Sequence, residues 1–232
     1  MKTEELLSIK NIKIWYTEGK PVIKDLSIGL YANEIVGLIG LNGAGKTTMM
    51  KTISGLLSGF EAKEIRWKGK ETRFRDKDFK KKRFIVFAED SSFGYFTFRE
   101  YLKYACGSYG VKAENVEEMV EGFHFGEYTD VLMKELSTGN RKKAGLIVAF
   151  ALHPEFLLLD EPVNGLDFQS TEYLYRLIND YRKYGSVLFS SHILESICLT
   201  SDRVMVLEEG KIDKVFEGES INAEVIREVL KQ

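Results

Sequence analysis

The chain has 232 residues, 44% apolar and 29% charged, with 33 Lys and Arg against 35 Asp and Glu for a net charge of −2. A chain this long buries about 70% or more of its unfolded surface, so it needs no disulfide or metal staple, and its composition lies far from disordered or collagen-like sequences. The near-neutral balance gives no electrostatic footing for nucleic acid, so no nucleic-acid partner is expected.

Cys106 and Cys198 form no framework or metal spacing, which fits a reducing compartment. The longest apolar run, Ala144 to Leu152, is too short to cross a bilayer. The residues after Met1 (Lys2, Thr3, Glu4, Glu5) offer no apolar secretion signal. The expectation is therefore a chain without signal peptide or transmembrane segment. Prolines occur only at Pro21, Pro154 and Pro162, and no linker or internal repeat divides the sequence. One folding unit with an excursion in its middle is expected.

The first third reads as β-rich. Ile9 to Tyr16 mixes apolar and basic residues, Val22 to Leu30 repeats the pattern, and Ile35 to Ile39 is a short apolar run. A glycine-rich turn then leads into Lys46 to Leu57, whose apolar spacing predicts a helix. Glu64 to Trp67 reads as another strand, closed by Lys68, Gly69 and Lys70. From Arg99 to Phe150 helical spacing dominates, as in Tyr101, Leu102 and Ala105. Strand and helix then alternate. Phe156 to Leu159 is wholly apolar, Thr171 to Tyr184 carries Leu174, Leu177, Ile178 and Tyr181 at helical spacing, and Val187 to Ser190 and Val204 to Leu207 are strands. Apolar strands alternating with helices predict an α/β fold, a parallel sheet covered on both faces.

Two segments carry chemistry. Gly40-Leu41-Asn42-Gly43-Ala44-Gly45-Lys46-Thr47, followed by Thr48, fits the phosphate-loop pattern G-x-x-x-x-G-K-[ST], between a strand and a helix. Glycines let successive N–H groups turn inward on phosphate oxygens, and the helix adds its positive dipole end. Lys46 offers a point charge to the β- and γ-phosphates, and the Thr47 hydroxyl a ligand for Mg2+. The alternative, a turn before a helix with a solvated lysine, requires the strand, loop and helix to coincide by chance. The second segment is Phe156 to Leu159 followed by Asp160 and Glu161. Asp160 falls at the carboxyl end of its strand, where open parallel sheets bind ligands, and suits Mg2+. Glu161 is placed to polarise an attacking water. Together these segments imply a hydrolase using Mg2+ and a nucleotide, of unspecified purpose.

Leu136-Ser137-Thr138-Gly139-Asn140 resembles the L-S-G-G-Q signature of ATP-binding cassette (ABC) proteins, and Ser137 precedes Asp160 by 23 positions, as in that family. Other landmarks follow in order, so the resemblance covers essentially the whole chain. It places Tyr16 at the aromatic position that stacks on adenine. Trp15 is adjacent, but strand alternation sends the two rings to opposite faces. It places Glu89 where the Q-loop usually has glutamine, as a Mg2+ ligand with an added negative charge. Asn164 to Asp167 resembles the D-loop, and His192 the switch histidine on the γ-phosphate. His124 and His153 read as structural.

The family fold is a P-loop NTPase with a parallel-sheet ATPase core, an N-terminal antiparallel β subdomain and an inserted α-helical subdomain. Here the core is expected at about 1–88 and 152–232, and the helical subdomain at about 89–151. The resemblance implies catalytic roles for Lys46, Glu161 and His192, and phosphate contact from Ser137 and Gly139 across a head-to-tail ATP-sandwich dimer. Thr138 and Asn140 depart from the signature's Gly and Gln. The local alternative makes Leu136 to Asn140 an ordinary helix cap with Arg141, Lys142 and Lys143 as a solvated basic face.

Two purposes compete: the motor of a membrane transporter whose permease subunits are separate chains, or a soluble ABC ATPase of the iron–sulfur assembly or repair type. Ser91 to Phe98 packs four aromatic residues where the family receives a short cytoplasmic helix from the membrane subunit. The alternative is that these rings fill the helical subdomain's own core. The 91 positions from Lys46 to Ser137 hold no sustained heptads, unlike repair proteins. The expectation is a transporter motor at the cytoplasmic face of the membrane. About 40 residues after His192 leave no room for the regulatory domain of sugar importers. Glu89 and the L-S-T signature resemble stand-alone motors of bacterial ABC-2-type exporters of peptides, drugs or lipids.

Overall fold

The structure is a computed structural model that describes residues 4–230. Two long strands open it, β1 (Glu5–Thr17) and β2 (Lys20–Tyr31), followed by β3 (Ile35–Ile39) and α1 (Lys46–Ile53). Short strands β4 (Phe60–Glu61), β5 (Glu64–Trp67) and β6 (Lys70–Glu71) lead to α2 (Lys77–Lys82) and β7 (Arg83–Val86). Three helices follow: α3 (Phe98–Tyr109), α4 (Val116–Gly122) and α5 (Thr138–Ala151). The chain closes with β8 (Phe156–Asp160), α6 (Phe168–Asp180), β9 (Ser186–Ser191), α7 (Leu194–Thr200), β10 (Arg203–Glu208), β11 (Lys211–Glu217) and α8 (Ala223–Val229).

The strands form two sheets. One is antiparallel, in the order β2-β1-β5-β6 with β4 also paired to β1. The other has six strands in the order β11-β10-β3-β9-β8-β7, parallel from β10 to β7 with β11 antiparallel at its edge. Every residue of β3, β8 and β9 is buried, the pattern of strands covered on both faces. Alternate residues serve opposite cores. Ile35, Ile39, Leu157, Leu159, Val187 and Phe189 pack against the helices. Val36, Leu38, Leu158 and Leu188 pack with β1, β2 and α1. Full burial of such a side chain contributes about 1.5–3 kcal/mol.

Several expectations change in detail. The first helix ends at Ile53, not Leu57, because the chain turns at Ser54 and Gly55. The helical stretch from Arg99 to Phe150 is three helices, separated by loops and two 3₁₀ turns, Gly126–Tyr128 and Met133–Glu135. The helix read over Thr171 to Tyr184 runs Phe168–Asp180 and closes with a 3₁₀ turn, Tyr181–Lys183. α3 begins with a capping box, Thr97 accepting from the Glu100 N–H and Glu100 from the Thr97 N–H. α5 is buried over most of its length, from Lys142 to Ala151 apart from Gly145. Ala144 and Leu146 to Leu152 enter the core on the helical face of the parallel sheet. Among the described residues, no helix is long and apolar enough to cross a membrane.

Candidate functional site

The strand order sets the site. β9 lies between β3 and β8, with Ile39 opposite Ser191 and Asp160 opposite Ser190. The carboxyl ends of three adjacent parallel strands therefore deliver the glycine loop, the two acids and the Ser190–His192 segment to one place.

The loop is shaped by Gly45, which stands at φ +111 immediately before α1. A Cβ there would lie 2.6 Å from Ile23 Cδ1, a side-chain tip that can shift, so it is the backbone conformation that requires glycine. α1 has no side-chain cap and no acid in its first turn, which leaves its first N–H groups open to an anion. Lys46 is 6% exposed, and its Nζ donates to the Gly40 carbonyl at 2.7 Å and lies 3.6 Å from Glu161 Oε1. Leu41, Asn42 and Gly43 are exposed along the outer edge of the loop, with Ala44 half-buried behind them.

Asp160 is fully buried and accepts two hydroxyl hydrogen bonds, from Thr47 to Oδ2 at 2.8 Å and from Ser190 to Oδ1 at 2.7 Å. Ser190 Oγ also accepts the Glu161 N–H at 3.0 Å. Glu161 has φ +47, a left-handed conformation that costs a non-glycine residue free energy and turns its side chain off the strand direction. Its Oε2 lies 2.8 Å from His192 Nδ1 and accepts the His192 N–H at 3.3 Å. Tyr16, 58% exposed, brings its hydroxyl to 3.3 Å from Thr48 Oγ1, while Trp15 is half-buried and its N–H donates to the Gly59 carbonyl. Thr47 and Asp160 present adjacent hard oxygens, the donor class that suits Mg2+ completed by phosphate and water. Among the described residues no three His, Cys, Asp or Glu side chains form a chelating group on their own. Glu89 lines a neighbouring cavity that Thr47 and Asp160 do not.

Ser137 and Gly139 stand apart from this constellation. The cavity of about 320 Å³ at the glycine loop is lined by Gly40, Leu41, Asn42, Glu161, Asn164 and His192, among others, and by no residue of the Leu136–Asn140 stretch. Ser137 caps α5, its hydroxyl accepting the Asn140 N–H at 3.2 Å. Gly139 abuts the 164–167 turn: a Cβ on it would lie 2.3 Å from the Gly165 carbonyl oxygen. Asp167 caps α6 through the Ser170 N–H and takes the Lys143 ammonium at 2.6 Å. The Lys143 bond above all, with the Ser170 N–H behind it, holds the Asp167 carboxyl far below the usual carboxylate range.

Three residues of this region were not anticipated. Ser190, which ties Asp160 to Glu161, gave no sign beyond ending a strand. Lys142 and Lys143, a solvated basic face in the local alternative for this stretch, are only 4% and 6% exposed. Three consecutive helical residues span about 200° of the helix surface, so some of them must turn inward; that was the available signal. Lys142 Nζ donates to the Phe87 carbonyl at 2.7 Å, and burial lowers its pKa to about 8 against the opposing pull of nearby carboxylates.

The aromatic stretch divides. Phe98 is core, Phe93 and Phe96 are half-buried, and Tyr95 is 79% exposed beneath the Lys134 ammonium. Phe93 stacks on Tyr101 at 4.2 Å. Glu89, Asp90, Phe93, Tyr95, Arg141 and Lys142 line a cavity of about 830 Å³. His153 stacks on Tyr184 at 3.8 Å, as a structural residue would.

The ABC transporter family profile matches residues 23–164. The chain is 30% identical over 223 residues to the Bacillus subtilis ABC transporter ATP-binding protein AlbC, covering 91% of each chain. It is 29% identical to the Treponema denticola phosphonates import ATP-binding protein PhnC, over 95% of this chain and 93% of that one. It is 27% identical to the Streptococcus pyogenes lantibiotic transport ATP-binding protein SrtF, over 92% of each. A solved structure of an ATP-binding subunit of an ABC transporter superposes with a TM-score of 0.85 at 26% identity, covering 98% of this chain and all of that one.

Proposed function

The chain belongs to the ABC transporter family of ATP-binding subunits, whose characteristic activity is ATP hydrolysis coupled to transport, and from that premise we propose that it drives export of a peptide, drug or lipid. In this reading it works at the cytoplasmic face of the membrane, as an ATP-sandwich dimer on separate permease subunits. The observation that carries the reading is the bonded set of Lys46, Thr47, Asp160, Ser190, Glu161 and His192 at adjacent strand ends.

Lys46 and the open N–H groups of α1 hold the β- and γ-phosphates. Thr47 and Asp160 would hold Mg2+, with Glu89 reaching it from the neighbouring wall; the ion supplies charge neutralisation on the phosphates. Glu161 orients and deprotonates the attacking water, and His192, bonded to it through Nδ1, keeps Nε2 for the γ-phosphate. Tyr16 offers its exposed face to adenine. The glycine-loop cavity has no wall from Ser137 or Gly139 of its own chain, which supports closure by a second ATP-binding subunit. The uncapped start of α1 and the exposed Ser137 are the two surfaces that would face each other across the nucleotide. Residues 89–151 would form the helical subdomain, and its 830 Å³ cavity with the exposed Tyr95 ring suits an amphipathic helix of the permease. Glu89 and the Leu136-Ser137-Thr138 signature favour export.

Reconstitution tests all of this. The chain would be placed in liposomes with candidate permease subunits, and Glu161→Gln would serve as the stalled control. The wild type should move cargo away from the ATP-containing side, and the variant should bind Mg-ATP, elute as a dimer and transport at least about a hundredfold more slowly. Movement toward the ATP side overturns export. ATP-independent movement overturns the motor role, and a monomeric Glu161→Gln subunit in every permease combination overturns the sandwich.

A further inference from the structure

The near-neutral charge of the chain conceals a segregation. Between Arg66 and Arg83 stand ten Lys and Arg against three Asp and Glu, a net charge of +7 over 18 residues. The remainder of the chain therefore carries −9. A basic block of this size on an acidic chain is the electrostatic footprint of an anionic partner.

The fold gathers these cations on one surface. They lie on the β5–β6 hairpin and on α2 with the residues that lead into it. Trp67 of the hairpin packs on Phe79 of α2 with ring centres 5.0 Å apart, and Lys68 and Lys82 share Glu155 at 2.6 Å each, so the two elements are fastened side by side. Four of the ten cations are committed within the chain: these two lysines, Arg66 to Glu64, and Arg83, which is buried and donates to the carbonyls of Ser54 and Phe74. The other six, Lys70, Arg73, Arg75, Lys77, Lys80 and Lys81, are exposed and form no ion pair among the described residues. Asp76, in their midst, accepts the Arg73 N–H at 2.7 Å and the Thr72 hydroxyl at 3.2 Å.

The position of the patch points to its partner. α2 runs into β7, the edge strand of the parallel sheet, and the cavity lined by Glu89, Phe93 and Tyr95 opens past the other end of that strand, four residues or about 13 Å along. The basic patch and the surface suited to a permease helix therefore share one edge of the molecule. Leu56, 65% exposed, adds an apolar side chain beside the cations: it follows Gly55, whose carbonyl accepts from Arg75 Nε at 3.3 Å. Flexible lysines around an apolar residue fit a sheet of anionic headgroups, where ammonium groups meet phosphate and the apolar group reaches the acyl boundary. A nucleic-acid backbone offers the same phosphates but no apolar layer for Leu56.

We propose that the face formed by α2 and the β5–β6 hairpin rests on anionic lipid headgroups beside the permease. The proposal rests on the reading of the chain as a permease-bound motor. It adds a direct lipid contact to attachment through the permease, and two contacts on one edge orient the subunit more firmly than either alone.

The test is co-sedimentation of the full-length chain with vesicles in the absence of permease. Phosphatidylcholine vesicles with about 30% phosphatidylglycerol are compared with phosphatidylcholine alone. The wild type should bind the anionic vesicles at least about tenfold more tightly at about 0.1 M salt and leave them at about 0.5 M. Lys77→Gln, Lys80→Gln and Lys81→Gln together should weaken that binding at least about tenfold. Lys20→Gln, Lys211→Gln and Lys214→Gln remove the same charge from exposed sites on β2 and β11, and should weaken it less than about twofold. Both triple variants should keep the wild-type urea midpoint; if the first does not, Lys80→Gln with Lys81→Gln carries the same comparison. No preference for anionic vesicles, or equal losses in the two triple variants, overturns the proposal. Tighter binding to single-stranded DNA than to vesicles overturns it in favour of nucleic acid. Protection of Lys80 and Lys81 from acylation in a permease complex free of anionic lipid overturns it in favour of an acidic permease loop. ATP-driven transport without vesicle binding defeats the lipid contact alone, whereas vesicle binding without ATP-driven transport defeats the motor reading and leaves the lipid contact standing.

Discussion

At the carboxyl ends of β3, β8 and β9, the charged side chains answer one another. Lys46 meets Gly40 and Glu161, Asp160 holds two hydroxyls, and Glu161 meets His192. At the start of α5 the picture differs. Ser137 spends its hydroxyl on its own helix and is exposed, Gly139 packs on Gly165, and the neighbouring cavity opens beside an exposed tyrosine. The first region is organised within one chain before any ligand arrives, as pre-organised catalysis requires. The second is organised as a surface. A protein that hydrolyses nucleotide only when assembled would divide its machinery in this way: chemistry held internally, and the trigger left facing a partner.

The sharpest way to break the comparison is at Lys46. Lys46→Ala removes the cation that faces Glu161 and that is proposed to hold the phosphates. ATPase turnover should fall on the order of 10² to 10³, the usual consequence of deleting one charge-stabilising donor. Ser137→Ala, by contrast, should leave the stability of the isolated subunit lowered only by a helix cap, about 0.5–2 kcal/mol. Steady-state hydrolysis and urea unfolding measure the two, and near-normal turnover in Lys46→Ala would remove the first region from the mechanism.

Ser190→Ala probes the same region one step back. The change strips Asp160 Oδ1 of its donor and leaves the Glu161 N–H without an acceptor, both buried. Loss of one partner from buried polar groups costs about 1–3 kcal/mol. Urea unfolding should show that loss, with hydrolysis down about tenfold as Glu161 loses its anchor. A variant as stable as wild type would mean that Ser190 does not hold the two acids.

The same contrast explains what the sequence disclosed. The glycine loop was legible because its determinants are contiguous: glycines, a lysine and a threonine in a fixed run after an apolar strand. Asp160 and Glu161 were legible because four apolar residues announce the strand that ends at them. Ser190 was not, because its role comes from register. Only when β8 and β9 pair with Asp160 opposite Ser190 does an ordinary serine become the bridge, across 30 positions of sequence. The burial of Lys142 and Lys143 was not legible because a basic run on a helix is usually solvated, and what buries them is the packing of α5 against β7 and the 164–167 turn. The break of the long helical stretch into α3, α4 and α5 was hidden for a related reason: the spacing of apolar residues continues through the loops that separate them. The aromatic run could be read either as groove or as core, and the fold divides it: Phe98 turns inward while Tyr95 remains outside.

The smallest expected effect sharpens the comparison at the second region. Lys143 bonds Asp167 at 2.6 Å, and that bond draws the Asp167 carboxyl far below its ordinary range. An acid whose folded-state pKa is depressed contributes stability above its unfolded value, about 3.9, and loses it as pH falls toward the folded value. Asp167 is 53% exposed on its side chain, so water screens the pair, and its contribution at pH 7 should stay below about 1 kcal/mol. Lys143→Met keeps the buried stem and removes the charge. The stability difference between wild type and variant should therefore be level from pH 7 to pH 5 and shrink below about pH 4, as Asp167 of the variant, released from the ammonium, takes up a proton while that of the wild type is still ionised. Urea unfolding across that range measures it. A difference that does not change down to pH 3 would assign Lys143 to packing alone, and the 164–167 turn would then be held to α5 by the Gly139–Gly165 approach rather than by charge.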